Sequence, residues 1–152
     1  MEEDEYKSTY KDLVSIPCVF EKALTNNQAK CSLSKHFCLA DREGYSCEDA
    51  ESSSRCNKLL QELRKKSSFV LKVHDIDGPL PHNMEIRVQV GGVTGLAKQI
   101  DMKIENNETA PIEDINGVLS KSIDKFGSLD KLPFSEIIQS VVQFQGRRRR
   151  QR

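Results

Sequence analysis

The sequence predicts an α+β fold: a cysteine-bearing helical amino-terminal part, then a small antiparallel β-sheet, then carboxyl-terminal amphipathic helices. Apolar residues mostly recur at helical spacing, but near the middle of the chain they alternate with polar residues, as in a strand. All five cysteines lie within residues 18–56. The length of 152 residues, 37% of them hydrophobic, suits one domain with a modest core.

Charge and hydropathy divide the chain into a domain with a charged segment at each end. We predict an acidic, flexible lead-in over residues 1–12, a single cysteine-cluster domain over 13–145 and a basic tail over 146–152. Within the domain, residues 13–66 form the predicted helical metal-binding part. Residues 67–145 contain the predicted strand pair and the later helices.

Three helices are predicted around the cysteines. Proline is tolerated in a first helical turn, so residues 15–17 predict a helix start with Cys18 in that turn. Residues 34–42 are predicted to form a second short helix, capped by its serine. The third is predicted over residues 48–66, with Cys56 on its apolar stripe.

The antiparallel sheet is predicted in the middle of the chain. Apolar and polar residues alternate over 69–73 and, more regularly, over 84–90. The Gly- and Pro-containing segment 77–81 predicts the turn between these strands, and Gly91-Gly92 predicts the end of the second. Residues 96–104 fit a helix or a strand equally well.

Two amphipathic helices are predicted near the carboxyl end. Apolar residues follow helical spacing over 112–126, and Gly127 is expected to end that helix. A second apolar stripe follows Pro133 and extends to Val142.

The compartment is inferred from what the sequence lacks. No segment has the roughly 20 apolar residues that a membrane-spanning helix needs. The acidic start, Glu2–Glu5, differs from the basic-then-apolar pattern of a signal peptide. We therefore expect a cytoplasmic protein without a transmembrane segment, where thiols stay reduced. The odd number of cysteines also argues against a simple disulfide framework.

The clustered cysteines indicate a bound metal. Thiolates, commonly four, hold iron–sulfur clusters, and zinc accepts four thiolates or three thiolates and a histidine. The sequence contains no Cys-x-x-Cys, the strongest signature of zinc ribbons and bacterial ferredoxins. The long gaps suit ligands spread over short helices and loops, so we predict an iron–sulfur cluster, of the 4Fe–4S type, with zinc as the alternative. The candidate ligands are Cys18, Cys31, Cys38, Cys47 and Cys56.

Five thiols exceed the four positions of such a centre. We expect Cys56 to be the spare, a buried structural cysteine, although it could replace Cys18 as a ligand. His36 is the best alternative ligand for zinc. The expected core set is Cys18, Cys31, Cys38 and Cys47.

Two other patterns carry weaker predictions. The run from Gly91 to Gly95 superficially suggests a phosphate loop, but it lacks the P-loop ending and favours a strand-ending turn. His74 and His82, with Asp75 and Asp77 nearby, could form a second metal or acid–base site. Loop residues of these types are usually solvated, so we expect no chemistry there.

The basic tail is an electrostatic feature without interleaved aromatic residues. It can attract phosphates of nucleic acid, an anionic surface or an acidic protein face, or it can stay solvated. The tail arginines are Arg147, Arg148, Arg149, Arg150 and Arg152.

The predicted function follows from the predicted centre. We expect a protein that carries an iron–sulfur cluster for electron transfer, or as an accessory subunit of a redox complex, without catalysis of its own. One alternative is a zinc-stabilised binding module whose basic tail contacts nucleic acid or an acidic partner. Another is a redox sensor that responds to loss of the cluster or oxidation of thiols.

Overall fold

The computed structural model describes residues 2–73, 80–100 and 112–144. Over these ranges the chain forms six helices and one two-stranded antiparallel sheet, so the predicted α+β class is confirmed. The elements are α1 (Glu3–Leu13), α2 (Glu21–Thr25), β1 (Ser34–Leu39), β2 (Arg42–Cys47), α3 (Ala50–Leu71), α4 (His82–Ile100), α5 (Ile115–Phe126) and α6 (Phe134–Gln143).

The sheet lies among the cysteines, where a helix was predicted. In the β1–β2 hairpin, Ser34 lies opposite Cys47 and Leu39 opposite Arg42. The connecting Ala40 and Asp41 have φ of 50° and 66°, the left-handed backbone of a two-residue hairpin turn whose twist matches the strands. The predicted helix over residues 34–42 is therefore wrong. The hydroxyl of Ser34 donates to the Cys31 carbonyl at 2.8 Å and does not cap a helix.

The two predicted strands are also wrong, because both segments are helical. Helix α3 continues to Leu71, and its buried Leu63, Ser67 and Leu71 recur every four residues. Phe69, placed in the predicted strand, is 92% exposed on the opposite side. Helix α4 is buried around most of its circumference, so its apolar residues are not confined to one helical stripe. Some of them therefore fall at alternate positions in the sequence, which is the pattern expected of a strand.

Close packing of α4 explains its glycines. A Cβ on Gly95 would lie 2.4 Å from the Ile137 carbonyl oxygen of α6, and one on Gly91 would lie 2.6 Å from the Val141 Cα. Glycine lets the two backbones approach at this crossing. The predicted strand-ending turn is wrong, and the run from Gly91 to Gly95 is a helix-packing surface and not a phosphate loop.

A buried polar network joins α4 to two other helices. Glu85 is 1% exposed and pairs with the Arg64 guanidinium of α3. Gln89 donates to a Glu85 carboxylate oxygen at 3.2 Å and accepts from the Ala23 backbone N–H of α2 at 3.2 Å. These bonds satisfy groups that burial would otherwise leave unpaired, and they fix α2 against the core.

The carboxyl-terminal helices are confirmed. Helix α5 presents Ile115 and Leu119 to the core and ends at Gly127, whose φ is 95°. Helix α6 buries Ile137 and Val141 against α4.

The acidic lead-in forms helix α1, none of whose residues is buried. It contacts the hairpin through a 2.7 Å ion pair between Glu3 and Arg42 and through Tyr10, whose ring centroid lies 5.7 Å from that of Phe37. Among the helices of the described ranges, none has the length and apolarity to cross a membrane. The predictions for His74, Asp75 and Asp77 and for the arginine tail lie outside the described residues.

Candidate functional site: a cavity lined by four cysteines

Four of the five cysteines line one cavity at the amino-terminal end of α3. Each comes from a different segment: Cys18 precedes α2, Cys31 precedes β1, Cys47 ends β2 and Cys56 lies two turns into α3. The chain therefore brings together thiols up to 38 positions apart in sequence. We call this group the four-cysteine pocket.

Backbone hydrogen bonds bring the first three segments together. The Cys18 N–H donates to the Tyr45 carbonyl at 2.9 Å, and the Cys47 N–H donates to the Ile16 carbonyl at 2.7 Å. These two bonds add the segment before α2 to the edge of β2. The Glu48 N–H donates to the Leu33 carbonyl at 2.9 Å, which holds the loop after Cys31 next to Cys47.

A capped helix start places the fourth thiol. Asp49 is the N-cap of α3, and its carboxylate accepts from the Ser52 N–H at 3.0 Å and from the Ser52 hydroxyl at 2.6 Å. The cap fixes the direction of α3 where the chain leaves β2, so Cys56 faces the cavity. The Cys47 thiol donates to the Asp49 carbonyl at 3.3 Å.

The rest of the wall is apolar or weakly polar. The cavity measures about 20 Å³ and has room for about one water-sized group as it stands. No histidine occurs among the described residues that line it. Its apolar walls are Val19, Phe20, Leu33 and Ile115. Serines from β1, β2 and the first turn of α3, together with Asn116 of α5, complete the lining.

Burial disfavours the thiolate form at two of the four cysteines. The pKa of Cys18 is raised to about 12, mainly by desolvation and to a smaller extent by the neighbouring thiols, while the backbone N–H of Phe20 acts in the opposite direction. Desolvation likewise raises the pKa of Cys56 to about 12, again with Cys31 and Cys47 adding to the increase. Because neighbouring thiols contribute to the raised pKa of Cys18 and of Cys56, these sulfurs lie close enough for their thiolate forms to repel one another.

Backbone amides face the third thiol. Burial raises the pKa of Cys31, and the N–H groups of Leu33 and Asn116 offset part of that increase. Asn116 lies in the first turn of α5, whose positive dipole end favours negative charge. The nearby Asp114 carboxylate, which accepts from the Ser32 backbone N–H at 2.9 Å, adds to the increase in the Cys31 pKa.

The fifth cysteine lies elsewhere. Cys38 is exposed on β1 opposite Glu43 and does not line the cavity. His36, the alternative zinc ligand, packs against Tyr45 with tilted rings at a centroid distance of 5.1 Å and is likewise not among the lining residues. The cavity therefore brings together Cys18, Cys31, Cys47 and Cys56 and leaves out Cys38.

The cysteines are free thiols in this structure. Across residues 2–73, 80–100 and 112–144, no three or more His, Cys, Asp or Glu side chains stand in an arrangement that could hold a metal ion as it is. The pocket thus presents four protonatable sulfurs, three backbone N–H groups directed at two of them, and an apolar wall.

Sequence reasoning missed two residues beside the pocket. Asn116 lines the cavity, and Arg55, adjacent to Cys56, donates from its Nη2 to the Asn116 side-chain oxygen at 3.0 Å. Arg55 is 61 positions from Asn116 in sequence, and no local pattern connects them. His82, in the predicted second site, instead contacts Lys22, whose Nζ lies 2.6 Å from its Nδ1.

Comparison with protein-family models, curated proteins and solved structures finds no match to this chain.

Proposed function

We propose that the four-cysteine pocket binds an iron–sulfur cluster of the 4Fe–4S type. The protein then serves in single-electron transfer, or as an accessory subunit of a redox complex. The observation that carries the proposal is the convergence of four thiols from four separate segments on one cavity. Cluster ligands are Cys18, Cys31, Cys47 and Cys56, and Cys38 is the spare thiol.

The electrostatics of the pocket support a cationic ligand. Burial raises the pKa of Cys18 and Cys56 to about 12, so four thiolates cannot share this site at neutral pH without a compensating positive charge. Iron or zinc supplies that charge, and coordination releases the thiol protons. A single ion would draw the sulfurs inward from the cavity wall, whereas a four-iron cluster would require the walls of this cavity of about 20 Å³ to move outward.

Backbone amides and sequence spacing favour a cluster over zinc. Hydrogen bonds from N–H groups to ligand sulfur are a principal means by which proteins tune cluster potential, and Phe20, Leu33 and Asn116 supply such groups. Structural zinc sites usually take paired ligands two to about four residues apart. The shortest gap among the four lining cysteines, from Cys47 to Cys56, is nine positions, so no two of them form such a closely spaced pair.

The cavity volume favours a second candidate. About 20 Å³ is space for one atom-sized group, which matches a single zinc ion without outward movement of the walls. In that case the protein is a zinc-stabilised binding module, and its basic tail contacts nucleic acid or an acidic partner.

Metal analysis separates the two candidates. Protein purified without oxygen should be brown, absorb at about 400 nm, and contain iron and acid-labile sulfide. Colourless protein with one zinc and no iron would establish the second candidate. Protein that takes up neither metal, also after reconstitution with iron and sulfide or with zinc, would disprove both.

A matched pair of variants tests the ligand set. Cys56→Ser should lose most bound metal, because it removes one of four ligands. Cys38→Ser should keep the metal content and spectrum of the unmodified protein, because its thiol is exposed on β1. The reverse outcome would exclude the four-cysteine pocket as the binding site.

The reducing cytoplasm is the compartment that this proposal requires, because free thiols and an oxygen-sensitive cluster persist there. We propose a protein partner in a redox complex, consistent with electron transfer between docked centres. The tail arginines Arg147, Arg148, Arg149, Arg150 and Arg152 offer a further contact to nucleic acid or an anionic surface.

A further inference from the structure

The outer edge of β1 carries unpaired backbone groups. Because a two-residue turn connects the strands, Leu39 and Arg42 exchange both of their hydrogen bonds, and bonded and non-bonded pairs alternate along the ladder from there. The N–H and C=O groups of His36 and Cys38 therefore point away from β2. Both residues are exposed, and within the described ranges no other backbone group bonds to these four groups.

The opposite edge of the hairpin is occupied. The outward C=O of Tyr45 accepts from the Cys18 N–H at 2.9 Å, and the outward N–H of Cys47 donates to the Ile16 carbonyl at 2.7 Å. These bonds agree with the alternation along the ladder, since Tyr45 lies opposite His36. The hairpin is therefore closed on the β2 side and open on the β1 side, and an open edge is a template for another strand.

The open groups select one register for pairing with a second copy of this chain. Two antiparallel copies of β1 are related by a twofold axis, so the pairing is self-complementary. Placing His36 opposite Cys38 of the second copy forms four hydrogen bonds and uses every open group of both chains. A shift towards Ser34 fails, because its N–H already donates to the Cys31 carbonyl at 3.2 Å. A shift the other way places His36 opposite the turn residue Ala40.

The same register brings complementary side chains together. Phe37 lies at the twofold axis opposite its own copy, and aromatic cross-strand pairs stabilise sheets. Lys35 lies opposite the second copy's Leu39, whose neighbour on β2 is Arg42. Helix α1 covers that position, because Glu3 pairs with Arg42 at 2.7 Å. The Lys35 backbone is therefore about 10 Å, two strand spacings, from Arg42 of the other copy, and its side chain can reach the acidic first turn of α1 there.

We propose that this chain forms a symmetric dimer by antiparallel pairing of β1 with β1 of a second copy, in the register that places His36 opposite Cys38. A lysine on an open edge discourages most strand partners. The acidic first turn of α1 accommodates Lys35, so charge complementarity favours a second copy as the occupant. One short strand on each side buries little surface, so the dimer forms reversibly and depends on concentration. This inference goes beyond the proposed function and does not require a metal in the four-cysteine pocket.

The test is the mass of the full chain in sedimentation equilibrium. Reducing conditions prevent a disulfide through the exposed Cys38. We expect twice the monomer mass as the protein concentration rises towards about 1 mM, and hydrogen exchange should show added protection of residues 34–39 at the higher concentration. A chain that stays monomeric would leave the edge to a different protein and overturn the self-pairing. A dimer without that protection would overturn it as well.

A matched pair of variants at Cys38 tests the backbone bonds. Cys38→Pro removes an outward N–H that the hairpin itself does not use, so it should abolish the dimer and leave the circular dichroism spectrum unchanged. Cys38→Ser keeps that N–H and should dimerise like the unmodified protein. A folded Cys38→Pro chain that dimerises normally overturns the proposal.

Charge reversal tests the register without changing the backbone. Lys35→Glu places like charges near one another at two equivalent positions and should raise the dissociation constant about tenfold. Lys58→Glu, at an exposed position of α3, is the matched control and should leave the constant unchanged. If Cys38→Pro loses its fold, this pair decides alone: equal dissociation constants for the two charge variants overturn the pairing.

Discussion

Around the four-cysteine pocket the chain is held by backbone hydrogen bonds between loops and strand edges, whereas around α4 it is held by close helix packing. At the pocket, backbone hydrogen bonds join Cys18 to Tyr45 and Cys47 to Ile16. At α4, Gly91 and Gly95 contact the α6 backbone directly. On another side of the helix, a Cβ on Gly92 would lie only 2.5 Å from the Leu63 side chain of α3.

The difference shows where a bound group can contribute to folding. The helical region is already close-packed, so little can be added there. Four thiols line the pocket beside its apolar wall, and a metal that linked them would restrain four segments at once. We therefore expect metal binding and helix packing to stabilise separate parts of the molecule.

Removal of the metal that we propose for the four-cysteine pocket should have the largest effect. Metal binding contributes on the order of 10 kcal/mol in small thiolate-ligated domains. Stripping with a chelator under reducing conditions should abolish most amide hydrogen-exchange protection in residues 16–56 while α5 and α6 keep theirs. The measurement is exchange followed by mass spectrometry on loaded and stripped protein. Equal loss of protection in α6 would contradict a division into two regions.

Arg64→Ala should be the most damaging single change in the helical region. It leaves the Glu85 carboxylate buried without its guanidinium partner, which typically costs about 3–5 kcal/mol. Urea unfolding monitored by circular dichroism gives the free energy of unfolding. Lys65→Ala, at the exposed neighbouring position, is the control and should change little.

Gly95→Ala should cost about 1–3 kcal/mol, because the added methyl group overlaps the α6 backbone and both helices must shift. Gly117→Ala in α5 is the matched control. Its Cβ would lie 3.0 Å from a side-chain oxygen of Asp114, which can move, so we expect almost no loss. If the two glycine variants unfold at the same urea concentration, helix approach does not explain the α4 glycines.

Acidification should lower the free energy of unfolding by a smaller amount, and protonation of Glu85 should account for that change. Burial alone would raise the Glu85 pKa, but hydrogen bonds from Arg64, the Leu80 N–H and Gln89 hold that pKa below its ordinary value. A carboxyl group with a lowered folded-state pKa stabilises the protein above its unfolded-state pKa. The contribution disappears as pH falls through the folded-state pKa.

The variant Glu85→Gln isolates that contribution. It should be less stable than the unmodified protein at pH 7, and the difference should narrow as pH falls below the ordinary glutamate value of about 4.3. Urea unfolding at several pH values measures it. A difference that stays constant with pH would assign the loss to packing and not to the charge of Glu85.

Sequence patterns alone determined the elements with one buried face. Helix α6 buries Ile137 and Val141 and exposes its other side, so its spacing is diagnostic, and Gly127 ends α5 because its φ of 95° favours glycine. The clustering of cysteines in the amino-terminal part, together with their long spacing, also predicted a shared pocket.

Tertiary structure decided which side chains meet. Helix α4 is buried on nearly all sides by contacts that include α6 and α3. It therefore lacks the polar face that makes the hydrophobic periodicity of a helix recognisable in sequence. That Cys56 lines the cavity and Cys38 does not depended on the hairpin and on the direction that Asp49 gives α3. Those contacts join residues distant in sequence, and local spacing carries no information about them.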